Sequence, residues 1–459
     1  MSLTLIQGTI RVCMKKTFAS VILSLSVLFH VSGQIDPSYK PGLSTEIQGY
    51  TGNSDKITPL QPLLDRLSPG DTLRLEEGIY YGPAHIKTPR VCIDGQGIST
   101  ITGRGLKSVL YIDADSVTVM NNHLVESGDS PDRIDCAIKV TKANYFQIIN
   151  NRIEETLFGI DIFWSEHGLV LHNDITSISR KEKGLKGDAI RLWYSKNNKV
   201  QENSWHEVRD MVVWYSSDNH FVGNFGKGNR YSIHFMYSHN NQISHNHFTE
   251  SSTGIFLMYS EKTIMNNNLI ENSQGTTGMC LGMKETSSNQ IIDNRFIYSA
   301  RGIYIDVSPF VPWKTNTLSG NEIAFCNTGI EFLKDQEGNI FTDNMFHDNL
   351  TQVFIQGGGT ANRNKWIGNY WGDYAGYDKD GDNIGDFPHR IYEYHARLWK
   401  FKPDVKYFYG SPILFVLDYL EKLAPFSKPQ FILKDKKPVF NLKKFKEKRR
   451  SQWGGQNNE

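Results

Sequence analysis

Asparagine recurs along this chain with a regularity that leaves few folds open. Asn122, Asn151, Asn173, Asn203, Asn224, Asn246, Asn268, Asn294, Asn321, Asn344 and Asn369 each stand beside a short apolar stretch, at variable steps near 22 residues. Asparagine tolerates the left-handed backbone, and its amides can stack in ladders between layers. The apolar stretches form a second column. Ile160–Ser165 (IDIFWS) is followed by Ile190–Ser195 (IRLWYS), Met211–Ser216 (MVVWYS), Ile233–Ser238 (IHFMYS) and Ile255–Ser260 (IFLMYS). Met279–Met283, Ile303–Asp306 and Ile330–Leu333 close the series, with steps of 30, 21, 22, 22, 24, 24 and 27 residues. Alternating strands joined by Asn turns at this spacing predict an all-β chain, a right-handed parallel β-helix, with a short C-terminal helical extension. A leucine-rich repeat would need an L-x-x-L-x-L frame, which is missing, and a propeller would repeat at roughly 40 residues.

The rest of the chain is organised around that solenoid. Lys15–Lys16 and the apolar run Thr17–Val31 have the form of an export signal, with Met14 as the better start and a small-residue cleavage point at Gly33. Residues 1–33 are therefore expected to be signal and upstream sequence, 34–72 an N-terminal cap region and 73–367 the repeats. Residues 368–393 are expected to form an Asp/Gly-rich loop, and 394–459 a C-terminal helix (Ser411–Leu423) with a basic tail. Charges nearly cancel, with 50 Lys+Arg against 49 Asp+Glu, so a nucleic-acid partner is not expected. None of the five cysteines forms a C-x-x-C pair. Cys13 precedes Met14, and the spacing of the other four is compatible with bridged or free thiols.

In each strand, positions one and three are aliphatic and should face the core, so positions two and four should face outward. Position four then presents Trp193, Trp214, Met236 and Met258 in a stripe, with Phe256 beside it at position two. An apolar stripe of this size marks a partner surface or a face covered by another segment. It also holds soft metal ligands: His234, Met236, Met258 and, in the same register as His234, Cys280. Imidazole, thioether and thiol suit a transient Cu(I) site. Separately, Asp378, Asp380, Asp382 and Asp386 match alternate positions of a calcium loop, although His389 stands where the bidentate acid belongs. No catalytic residues are expected. Outward Asp161 and Asp306 lie many rungs apart, and only Asp188 and Asp210 begin successive rungs.

Gly368–Tyr374 (GNYWGDY), the Asp378–Asp386 stretch (DKDGDNIGD), Gly187–Trp193 (GDAIRLW), Arg209–Met211, Arg230–Ser238 (RYSIHFMYS) and the Ser411–Leu423 segment together resemble the NosD family, β-helix proteins of nitrous oxide reductase maturation. Ser232 and Asn383 stand where that family usually has glycine. The resemblance implies a non-enzymatic periplasmic protein associated with the inner membrane. It would act with an ABC-type ATPase and membrane subunit, and a copper chaperone, in assembling the copper–sulfide centre of nitrous oxide reductase. A carbohydrate-active β-helix, a polysaccharide lyase or epimerase with sugars stacked on the Trp stripe, is the alternative.

Overall fold

The computed structural model describes residues 57–393 and 429–453 and, between them, residues 411, 413, 416, 419 and 420. The chain coils as a right-handed parallel β-helix. Almost every strand pairs with the strand three places on in sequence, which builds parallel sheets of 14, 13 and 12 strands. The 14-stranded sheet runs from Ile57–Pro59 to Tyr370–Trp371, and the 13-stranded sheet from Thr72–Arg74 to Lys365–Ile367. The 12-stranded sheet runs from Ala84–Ile86 to Thr351–Ile355.

Alternation explains the core. In the 12-stranded sheet, Ile160, Ile190, Met211, Ile233 and Ile255 stack on successive coils beside Ile162, Leu192, Val213, Phe235 and Leu257. All are fully buried. Rungs about 4.8 Å apart leave no gap between such side chains, so each coil is sealed by the next.

The corners are held by the asparagine ladder. Asn246 is typical: its Oδ1 accepts from the backbone N–H and side-chain amide of Asn224, both at 2.9 Å. Its own amide donates to the Phe221 and Ser244 carbonyls and to Asn268 Oδ1. The residue before each ladder asparagine turns left-handed, as at Asn150, His172, Glu202 and His245. That conformation costs a non-glycine residue roughly 1–2 kcal/mol, and the repeated amide bonds offset it. A second ladder links Asn198, Asn219 and Asn241 and resumes through Asn289, Asn316, Asn339 and Asn364.

Both ends are closed. At the start, the first coil strand begins at Ile57, within the segment expected to be cap, and a short helix, Gln61–Leu64, follows with Leu60 and Leu64 buried. The expected signal segment, residues 1–33, lies outside the described residues. At the far end, the segment expected to be a basic tail is folded. Gln430–Asp435 pairs antiparallel with His389–Glu393, burying Ile432 and Leu433. The helix Leu442–Trp453 sets Phe445 against Met345 and Val439, and its Lys446 bonds Glu322 at 2.9 Å. Basic composition hid the apolar residues that anchor this stretch. Of the Ser411–Leu423 segment, Ile413, Val416, Tyr419 and Leu420 are helical and exposed. The other residues after Ser411 lie outside the described set.

Replacing Asn246 by alanine removes the partner of several buried backbone groups, each worth about 1–3 kcal/mol when left unpaired. The expected result is a loss of roughly 3 kcal/mol or more in urea unfolding, against near-neutral replacement of Asn327, which is exposed and not left-handed.

Candidate functional site

The register of the 12-stranded sheet sets what its outer face displays. One outward column runs Asp161, Arg191, Val212, His234, Phe256, Gly282, Tyr304 and Glu331. The next runs Phe163, Trp193, Trp214, Met236, Met258, Lys284 and Asp306. The expected alignment therefore slips by two residues at one coil. Gly282, not Cys280, continues the His234 column. A two-residue slip preserves the inward–outward alternation, so pattern alone cannot detect it.

Cys280 is thus corrected out of the candidate metal set. It is fully buried, its thiol donates to Ser299 Oγ at 3.0 Å, and burial raises its pKa well above the ordinary thiol value. The other described cysteines, Cys92, Cys136 and Cys326, are also free thiols. Phe256 is corrected as well. It lies over Gly282, where an added Cβ would come within 2.1 Å of its ring, and it is buried instead of being offered to a partner.

His234, Met236 and Met258 do come together. His234 Nε2 lies 3.1 Å from Met258 Sδ, and Met236 is the register partner of Met258. Burial pushes the His234 imidazole down to about 4, aided by Arg230 and opposed by Asp210. It is therefore neutral at pH 7. Its Nδ1 is buried with no hydrogen-bond partner among the described residues. Three rings enclose it: Tyr231 stacked at 4.9 Å, Trp214 perpendicular at 5.7 Å and Phe256 at 6.1 Å. A neutral imidazole facing a thioether inside an aromatic enclosure is a donor set for a soft cation.

Three carboxylates of this face, Asp161 in the His234 column and Asp188 and Asp210 beside strand starts, are paired with basic side chains. Asp188 accepts from Arg209 at 2.8 Å and Asp210 from Arg230 at 2.9 Å, while Asp161 lies between Lys139 and Arg191. Burial raises Asp188 to about 6, with Arg209 opposing. Asp210 also accepts the Tyr231 backbone N–H, which fixes the start of the His234 strand.

Sequence reasoning missed a third column. The residue after each of five successive strands of this sheet is aromatic and left-handed: Trp164, Tyr194, Tyr215 and Tyr237, then Tyr259, stack at 4.7–5.3 Å. The serine that follows each, from Ser165 through Ser195, Ser216, Ser238 and Ser260, accepts a backbone N–H from the previous coil. The repeated aromatic–Ser pair was the available signal.

At the Asp loop, the carboxylates of Asp378, Asp380 and Asp382 lie within 4.8 Å of one another. Asp378 also accepts from the Gly381 and Asn383 amides, and Asp386 turns to the Lys379 amide at 2.7 Å instead of joining the cluster. Asn383 is left-handed, which explains why it can stand where glycine was expected.

The family model described as "Periplasmic copper-binding protein (NosD)" matches residues 176–376. A "Probable ABC transporter binding protein NosD" from Stutzerimonas stutzeri is 27% identical over 401 residues, covering 80% of this chain and 86% of the relative. Residues 176–376 of the chain are thus similar to the NosD family. A Pseudomonas aeruginosa NosD of the same description is 30% identical over 114 residues, 24% of this chain and 26% of that one. Among solved structures, the A-module of the mannuronan C-5 epimerase AlgE6 of Azotobacter vinelandii is 11% identical, with a TM-score of 0.49 over 66% of this chain and 90% of that one. The Streptococcus pneumoniae adhesin PfbA is 10% identical, with a TM-score of 0.41 over 70% and 91%. Likeness at this level is silent on activity. The segment matched to NosD contains His234, Met236 and Met258 and stops short of Asp378.

The depressed His234 pKa has a sign that can be checked. Between its ordinary value of 6.5 and about 4, the unfolded chain takes up a proton that the folded imidazole refuses. Stability is thus full above pH 6.5 and falls as pH drops through that window. The urea midpoint should fall more steeply from pH 7 to pH 4.5 in the native protein than in His234→Gln; parallel curves would contradict this.

Proposed function

We propose that this chain is a periplasmic accessory protein of nitrous oxide reductase maturation that holds Cu(I) transiently on the His234–Met258 edge. The observation that carries this is the neutral, otherwise uncommitted imidazole 3.1 Å from a thioether. Copper is cargo here, not a resident cofactor. A site of few neutral ligands on an outward strand can load and release an ion without unfolding the solenoid. Met236, adjacent in register, is the third ligand of this reading. The description of the matching family as periplasmic and copper-binding supports both the compartment and the ion. The relatives' description as ABC transporter binding proteins supports docking to an ABC-type ATPase and membrane subunit. Arginine and lysine pairing of Asp161, Asp188 and Asp210 favours a non-enzymatic role over carboxylate catalysis.

The first test is direct. Anaerobic Cu(I) competition titrations of His234→Ala/Met258→Ala should show affinity at least tenfold weaker, with an unchanged β-sheet spectrum. Undiminished affinity would remove this site. The second is cellular. Nitrous oxide reductase purified from a strain lacking this gene should have lost the absorption of its copper–sulfide centre, and the gene restored in trans should return it. A fully loaded reductase would refute the maturation role.

A further inference from the structure

Trp214 is the least explained residue on this face. Its indole N–H is buried and has no acceptor among the described residues. An unmet donor costs about 1–3 kcal/mol, a penalty that an aliphatic side chain in the same position would avoid. Register places Trp214 between Trp193 on one coil and Met236 on the next, with Met258 one coil further. Trp193 leans on it at 5.1 Å, and Arg191 is stacked over Trp193 at 4.2 Å, so the indole is braced from the side away from the thioethers. Its plane stands at 90° to the His234 ring. Lys284, the residue beyond Met258, is paired with Asp306 at 3.9 Å.

Imidazole and thioether are neutral donors, so a cation bound between them keeps its whole charge. Among the described residues no carboxylate is bonded to His234, and the acidic group acting on it, Asp210, is committed to Arg230. In a seat of this kind an electron-rich ring face supplies the missing stabilisation, and indole supplies it best. We propose that Trp214 is a metal-facing wall of the site: it contacts the bound monovalent ion in place of water and biases the seat toward Cu(I) over Zn(II). The inference rests on the copper reading of the same site and adds a residue to it. A dry, π-lined seat disfavours ions that keep oxygen or water ligands.

The test uses the full chain and Ag(I) as a redox-inert probe, followed by anaerobic Cu(I). The readouts are indole difference absorption and tryptophan fluorescence, with affinity from competition. The native protein should show a red-shifted indole band and quenching that saturate at one equivalent. Among nine tryptophans, removal of one should decide the signal: Trp214→Phe loses the band and binds roughly 3- to 30-fold more weakly, while Trp193→Phe keeps the band. Trp214→Tyr, which retains a π face and a polar edge, should fall between them and serves as the variant of choice if the phenylalanine protein misfolds by circular dichroism. Native affinity and an unchanged indole band in both Trp214 variants would overturn the wall while leaving the His234–Met258 site standing. A native protein that binds neither ion would overturn the copper reading itself, and the wall with it.

Discussion

The architecture depends on a buried amide that satisfies the backbone of the coil next to it. Each ladder asparagine accepts from the preceding coil and donates to carbonyls and to the next asparagine. This makes a left-handed corner tolerable at His172, Glu202 and His245, where the backbone alone would disfavour it. Because the corners repeat, the strands between them stack in register. Because the strands stack, outward side chains separated by some 22 residues become neighbours.

The His234 site follows from that geometry. No local motif assembles it: His234 and Met258 are 24 residues apart and meet because one coil separates them. Its neutrality is likewise a product of stacking. Tyr231, Trp214 and Phe256 come from three successive coils and exclude water from the imidazole. Asp188 and Asp210, beside the starts of neighbouring strands, are held by Arg209 and Arg230.

Much of this was legible in the sequence. The asparagine period and the alternating strands disclosed the solenoid, its inner rows and the proximity of His234, Met236 and Met258. What failed was position along a column. The stretch Met279–Lys284 offers two alignments of equal parity, and only the packing of Phe256 over Gly282 selects one. Cys280 looked like a ligand for that reason alone. The aromatic column from Trp164 to Tyr259 was visible as a repeated pair but had no place in a two-faced view of a strand, since it occupies the corner. The C-terminal closure left no local trace, because Asp435 matters only through residues far upstream.

That closure has a consequence for the order of assembly. The last ladder member, Asn369, directs its backbone N–H and side-chain amide to Asp435, which also receives the Trp371 indole and is completely buried. A solenoid can grow coil by coil as the chain emerges, each coil templating the next. Its final rung, however, has no acceptor until a strand 66 residues later folds back. Until then the growing end is an adhesive surface that would accept another molecule's coil as readily as its own terminus. Asp435 acts as a stopper: it converts an open-ended stack into a particle of defined length.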